Sequence, residues 1–545
     1  MHPLRLLAAL LLASSARADS EEAIRFQGEL ELRLQSDRNV PGTSLRFDPR
    51  SGDLTLADYL RTTGSSTFPS MLATLGLSGR HLGGDLSWVV TADTGELRRE
   101  RFHRVRQVCW SDKTPSGLSV PGSGDCGLYR LSPLVWARVI EPVESIELEQ
   151  GQQTTSNGRS FHDELRKTLL LREGHLNYRL GRAGFAVLSA GRKRTVVADG
   201  YVYDDYATGL MLDLDIGAIG PQWEVTAAAF LPSRDLPDHE GSLSPMAVIT
   251  LDYLPSLFDR LGLFAAAMRE RSDSLANVFR GAVEERLVST SSENEPGTLL
   301  HHRAEQLLAA TASASFAGDG TLYWGGVSGK LTPGKGQRLA FTAALCGGEI
   351  DRVTAGAGST AVLLAEDIRL RGQLASLRYD ADLVGGLGLG LSLLFLSGGE
   401  LPGVRFDSLT RIVPATGTYR AFLGVSPYLT ESNIFFGGGL SESYADRQAT
   451  TPGVNGRGVL APGLSLGFNP KDALSFEARG VWLRAVDSGP FGGRNYGTEV
   501  DVELAYEPVR WLSLGAEGDV LFPGDFFQGD RPITRAILGL NVLTP

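Results

Sequence analysis

The segment Gly497-Thr498-Glu499-Val500-Asp501-Val502-Glu503-Leu504-Ala505-Tyr506 alternates without a break. Val500, Val502, Leu504 and Tyr506 fall on one side, and Glu499, Asp501 and Glu503 on the other. After the turn Glu507-Pro508-Val509-Arg510, the residues Leu512, Leu514, Ala516, Gly518 and Val520 alternate with Ser513, Gly515, Glu517 and Asp519. A side-chain period of two is that of a β-strand. Strands of soluble sheets usually run about 5–6 residues. Segments of about ten or more suit a tilted strand that crosses a bilayer.

The pattern recurs at 24–36, 70–81, 84–98, 167–180, 184–194, 207–219, 221–233, 246–255, 258–270, 304–316, 319–331, 368–383, 386–398, 457–469, 473–486, 496–508, 511–523 and 531–543. That makes eighteen segments, the even number a single-chain bacterial barrel requires. Short links near 82–83, 181–183, 220, 256–257, 317–318, 384–385, 470–472 and 509–510 supply the eight turns of one rim. Long links at 37–69, 99–166, 271–303, 332–367 and 399–456 fall at the other. Short periplasmic turns and long extracellular loops are the asymmetry of outer-membrane barrels. Two further strand-like segments, 337–347 and 431–442, are placed inside extracellular loops as hairpins or an infolded constriction. Counted in the wall, they would make twenty strands. The fold expected is therefore all-β: a transmembrane antiparallel up-and-down barrel of about 18 strands with long extracellular loops.

The N-terminus fits this destination. Met1 to Ala18 reads as a secretory signal, with Arg5, the apolar run Leu6 to Ala13 and the small-x-small site Ala16-Arg17-Ala18. Residues 19–545 then form one barrel domain. After residue 18 the chain has no apolar run long enough for a membrane helix, and mean hydropathy is −0.05. The formal net charge of −11 argues against nucleic-acid binding. Cys109 and Cys126 share one polar segment and are expected to close a disulfide in an oxidising compartment, which leaves Cys346 unpaired.

Motifs for chemistry are weak. Gly463-Leu464-Ser465-Leu466-Gly467 has the spacing of a nucleophile elbow but lies in an alternating strand, where the sharp strand-to-helix turn is missing. His301-His302 lacks a third ligand, and Asp204-Asp205 reads as a solvated loop rather than a Ca²⁺ site. No enzyme, metal or cofactor is expected.

The charged faces carry more. Glu29, Glu31, Arg33 and Gln35 alternate with Leu30, Leu32 and Leu34. Arg369 and Arg371 alternate with Ile368, Leu370 and Gly372, and the phase then flips to Arg378, Asp380 and Asp382, as a bulge would make it do. Glu477 and Arg479 lie opposite Phe476, Ala478 and Trp482, and Arg179 shares a face with Asn177. Arg192 and Arg194 follow on a strand whose parity is open. Arg33, Arg179, Arg369, Arg371 and Arg479 are expected to line an anion path, because the planar guanidinium matches a carboxylate. Glu499, Asp501, Glu503, Glu517 and Asp519 form an acidic wall, which either braces those arginines or offsets them.

These residues resemble a family. Gly497 to Asp501, Tyr506, Leu512-Ser513-Leu514 and Phe522-Pro523-Gly524-Asp525 are similar to the closing hairpin of the alginate-export outer-membrane porins. Leu188-Ser189-Ala190-Gly191-Arg192 with Asp204-Asp205 resembles that family's Gly-Arg strand, and Tyr419 to Gly439, with Ser432-Asn433-Ile434-Phe435, is more loosely similar. The resemblance implies an eighteen-stranded barrel exporting an anionic polysaccharide, with Arg192 in an arginine-lined pore. The chain departs from the family at its end, Leu543-Thr544-Pro545, which lacks a terminal aromatic residue, and in the large insert 99–166. The expected function is an outer-membrane channel or exporter for an anionic solute such as an acidic polysaccharide. Its partners would be outer-membrane lipid and periplasmic export proteins. The alternatives are an outer-membrane lipid hydrolase or protease, and a barrel-anchored surface binding protein.

Overall fold

The structure is a computed structural model that describes residues 24–41, 63–81, 85–93, 97–101, 106–110, 142–147, 152–156, 159–160, 170–181, 185–215, 222–232, 244–270, 316–355, 362–399, 405–408, 411–425, 427, 429–436, 449–450, 453–471, 473–488, 492–526 and 531–543. The expected signal at 1–18, His301-His302 and the Cys109–Cys126 disulfide lie outside the described residues and side chains.

Eighteen strands form a closed antiparallel ring. In chain order they are β1 (Arg25–Pro41), β2 (Thr63–His81), β3 (Leu86–Asp93), β4 (Leu170–Leu180), β5 (Ala186–Val197), β6 (Tyr203–Asp215), β7 (Trp223–Pro232), β8 (Met246–Tyr253) and β9 (Arg260–Glu270). They continue as β10 (Phe316–Leu331), β11 (Gln337–Ala355), β12 (Val362–Asp382), β13 (Leu387–Leu396), β14 (Val459–Lys471), β15 (Leu474–Arg484), β16 (Asn495–Val509), β17 (Leu512–Pro523) and β18 (Ile533–Leu543). Each pairs with its sequence neighbour, and the ring closes where β1 meets β18 from Glu29↔Leu543 to Arg38↔Thr534. A closed ring leaves no edge of unpaired N–H and C=O groups, which lipid could not satisfy.

The count matches expectation through two compensating shifts. Residues 337–347 are not in a loop; they belong to β11, which pairs with both β10 and β12. β9 pairs directly with β10, so no wall strand lies between them; of the expected segment 304–316 the structure describes only Phe316, which opens β10. The turn expected at 317–318 is therefore inside β10, and the real turn is Thr332–Gly336. The expected loop 332–367 is replaced by the hairpin of β11 and β12. Eight short links still share one rim with both chain ends, because moving one strand along the chain preserves the up-and-down parity. Ser465 sits within β14 between outward Leu464 and Leu466, so no nucleophile elbow forms. Asp204 is likewise in a strand, where both of its oxygens accept hydrogen bonds from Arg194 at 2.8 and 2.9 Å.

The outer surface is apolar. Leu345 is 65 % exposed and Leu538 60 %, and Leu176, Leu210, Ile249, Leu263, Leu391, Leu466 and Val502 are likewise exposed. Exposed aliphatic side chains all round a barrel are the lipid face of a membrane-spanning sheet. Replacing Leu464 with Arg, mid-strand on that face, is expected to cost about 2–4 kcal/mol. Lumen-facing Ser465→Arg should cost less. Urea unfolding from lipid vesicles measures both.

Candidate functional site

The lumen holds a segment of the chain. After β13, residues Ala415–Tyr419 run parallel to the upper end of β12, from Ala365↔Ala415 to Leu370↔Tyr419. Backbone bonds then draw the chain inward. The Phe422 N–H donates to Ser397 O at 2.9 Å, and the Val425 N–H to Val202 O at 2.7 Å. The Trp324 indole N–H donates to Leu423 O at 2.6 Å. Phe422, Leu423, Val425, Leu429, Ile434, Phe435 and Phe436 are buried against the inward faces of Leu322, Cys346, Ile350, Ile368, Leu370 and Leu374. Each such side chain, fully buried, contributes on the order of 1.5–3 kcal/mol. The upper lumen is therefore a packed apolar core. Cys346 lies in it as a buried free thiol.

The acidic wall is the floor on which the end of this segment rests. Glu499 accepts from Ser432 Oγ at 2.7 Å, from the Ile434 N–H at 2.6 Å and from the Phe435 N–H at 3.0 Å. Asn433 Nδ2 donates to Glu503, Glu517 and Asp519 at 3.3, 3.3 and 3.1 Å. Arg535 Nη1 donates to Asn433 O at 2.9 Å, and Arg479 Nη1 donates to Thr430 O. Glu499, Asp501 and Asp519 are 0, 1 and 1 % exposed. Carboxyl oxygens that take backbone N–H groups make charge-assisted bonds, about twice as strong as neutral ones. Ser432 Oγ also accepts from the Phe435 N–H at 2.9 Å, so the turn arrives preformed. The aromatic stack Phe436–Phe435–Tyr496–Phe526, with centroids 5.1, 4.7 and 4.5 Å apart, closes the upper side.

The expected arginines divide. Arg33, on the same face of β1 as Glu29 and Glu31, faces the lumen and bonds to Glu31. Arg179 faces the lumen beside Asn177, whose amide bonds to Ser87 and Ser189 across the inner surface. Arg479 faces the lumen and ties Thr430 O, with Glu503 at 3.5 Å. Arg369 and Arg371 do not face it. β12 pairs with β11 without a break from Gln337↔Ala381 to Ile350↔Ile368, so no bulge flips the phase. Arg369 and Arg371 share the outward face with Leu377, while Ile368, Leu370 and Leu374 point inward under the inserted segment. A strand above the lipid belt can show its polar face outward when something apolar fills the lumen. Arg192 also lies on the outward face of β5, with Leu188 and Val196, and its guanidinium stacks on Tyr206 at 5.8 Å.

Two residues that the alternation did not single out matter here. The turn Ala198–Val202 bends into the lumen, and the Tyr201 hydroxyl donates to Glu431 Oε1 at 2.8 Å, with Ser376 Oγ 2.6 Å away. Burial pushes the Glu431 carboxyl above its usual range, against the stabilising bond from Tyr201. Burial, reinforced by the Glu431 charge, raises Tyr201 well above the ordinary phenol value. The one sequence signal for this pair was Gly200 (φ 95°), which completes the left-handed turn that Ala198 (φ 56°) and Asp199 (φ 51°) open.

No protein-family model matches the chain, and no curated protein does. Solved structures with some similarity come from Pseudomonas aeruginosa. OccK7 (OpdD) aligns with a TM-score of 0.46 at 11 % identity, over 95 % of this chain and 98 % of that one. OccK9 (OpdG) aligns at 0.44 and 12 %, over 96 % and 98 %. OccK5 (OpdH) aligns at 0.42 and 11 %, over 95 % and 98 %. The barrel assignment stands on the chain's own strand ladder.

Gly372 is where the inserted backbone meets the wall. A Cβ there would lie 2.5 Å from Phe422 Cα and 2.6 Å from Ala421 O. Gly372→Ala is expected to lower stability by about 1–3 kcal/mol through overpacking. Gly467→Ala, with no atom within 4 Å of its Cβ, should stay within about 0.5 kcal/mol. Thermal unfolding in detergent distinguishes the two.

Proposed function

We propose that this chain is an outer-membrane channel that passes anionic solutes, an acidic polysaccharide among them. The carrying observation is the closed eighteen-strand ring with an apolar exterior and a charged inner face. Such a ring can leave a polar path through lipid. The long-link rim then faces outward from the cell, and both chain ends face the periplasm.

The anion preference rests on the arginines that face the lumen. Arg33 and Arg179 are two of them, and Arg479 contributes deeper, beneath the inserted segment. Arg25 and Arg80 lie on the same inner faces of β1 and β2, with Arg25 opposite Ser78, two residues from Arg80. Arg25, Arg80 and Arg179 thus crowd the periplasmic mouth on β1, β2 and β4, with no ion pair among the described residues. Meanwhile Glu499, Asp501 and Asp519 are covered and withdrawn from the water path. Asp213, Asp215 and Glu224 gather at the same rim on β6 and β7, so the anion preference is confined to the β1, β2 and β4 side of the mouth, where it acts through direct electrostatics in a narrow, poorly screened opening.

In planar bilayers the purified chain should conduct ions. In a salt gradient, the triple change of Arg25, Arg80 and Arg179 to Gln should shift the reversal potential toward cations. The double change of Arg369 and Arg371 to Gln should leave it unchanged, since both residues face outward. A chain that inserts without conducting would defeat the channel reading and favour a surface anchor. A shift in the double variant, with none in the triple one, would defeat the placement of the anion path.

A further inference from the structure

We propose that residues 429–436 are a proton-dependent gate, seated in the lumen when Glu431 carries a proton and released when it ionises. This rests on the channel reading only for its consequence, conduction; the movement itself does not depend on it.

Glu431 sits where two inward excursions of the chain meet. Its Oε1 takes the Tyr201 hydroxyl from the Ala198–Val202 turn, and its Oε2 is buried with no hydrogen-bond partner among the described residues. A buried oxygen without a partner is costly as part of a carboxylate and much less so as part of a neutral carboxyl. The charges around it point the same way. Asp199 lies on the turn, Asp380 on β12 and Glu477 on β15. Glu499, Asp501 and Glu503 on β16 and Glu517 and Asp519 on β17 stand behind residues 432–435. Asp501 lies directly opposite Asp519, and both oxygens of Asp501 are buried without donors. Against these stand Arg378 on β12, paired to Asp380 at 2.9 Å, Arg479 on β15, Arg535 on β18, paired to Asp37 at 3.1 Å, and Lys330 on β10, 3.3 Å from Asp199. The cations are thus mostly engaged elsewhere, and carboxyls outnumber them around the seat.

The sign follows. A carboxyl raised by burial binds its proton more tightly when seated than when the segment is out in water. The seating it supports is complete in acid and is lost as pH climbs through the raised value. A local change of one proton becomes a movement of the whole segment because the apolar packing and the carboxyl cradle form a single seat, either occupied or empty.

The chain carries its own reporter. Cys346 is buried beneath Leu423, whose N–H donates to its sulfur, and Leu423 shares one buried core with Leu429, Ile434, Phe435 and Phe436 of the gate. Lifting the gate removes that support from Leu423, and alkylation of Cys346, read by mass spectrometry, reports it. Glu431→Gln mimics the protonated carboxyl. At pH 8 its Cys346 should react about tenfold more slowly than the wild type's, as a shift of about 1.4 kcal/mol in the seating equilibrium requires. At pH 5 the two rates should converge. Wild-type conductance should fall from pH 8 to pH 5, and Glu431→Gln should hold the low value throughout. Tyr201→Phe, which leaves the barrel wall untouched, should react faster than wild type at pH 5. Equal Cys346 rates in wild type and Glu431→Gln at pH 8 would overturn the gate. The expected alkylation pattern without conductance at any pH would uphold the gate and defeat only the channel.

Discussion

Everything in this molecule depends on pairing every backbone N–H and C=O within the protein wherever the chain meets lipid. An open sheet edge cannot exist there, and so β1 must find β18 across almost the whole length of the sequence. Once the ring closes, the strand period divides each strand into an outer and an inner face. What each face may carry is then decided by what it meets. The outer face meets hydrocarbon over the belt marked by Leu345, Leu391 and Leu538. The inner face meets water in some places and the protein's own chain in others.

The second case organises the lumen. Residues 415–436 carry enough apolar side chains to build a core inside the barrel, but their backbone and the polar side chains Ser432 and Asn433 need partners there. The carboxyls of β16 and β17 supply acceptors, and Arg479 and Arg535 supply donors. The acidic wall is therefore less a surface presented to solute than a cradle for the chain. Like-charged residues facing each other, as Asp501 and Asp519 do, are unfavourable in an open strand pair. Asn433 supplies one donor to Asp519, but Asp501 receives none among the described residues, so this pair is a local cost that the seating of the inserted segment elsewhere on the wall offsets.

Much of the barrel was legible in the sequence because period-two alternation survives any average over composition. Strands such as β16 and β17 show it without interruption, and the short turns between them fix the rim. Where two adjacent segments both alternate, as 304–316 and 337–347 do, the period cannot say which is in the wall; hydrogen bonding of β11 to β10 and β12 decides. Alternation also cannot say which face is inside. At Arg369 and Arg371 the alternation points the polar face to the lumen, but the apolar face of β12 is the inner one there, covered by Phe422. The five acidic residues were legible as one face. Their partners, Ser432 to Phe435, lie more than sixty residues away in sequence from Glu499, and no local pattern links them.

The seating of residues 415–436 inside the lumen is tested most directly by removing the part that rests on the acidic wall. Replacing residues 427–436 with a short Gly-Ser link leaves every wall strand intact. Single-channel recordings of that variant at pH 5, where the segment is seated in the parent chain, should show a larger conductance than the parent, with strand content unchanged by circular dichroism. Equal conductance in the two would mean that the segment does not occupy the path, and the cradle formed by Glu499 and its neighbours would lose its meaning.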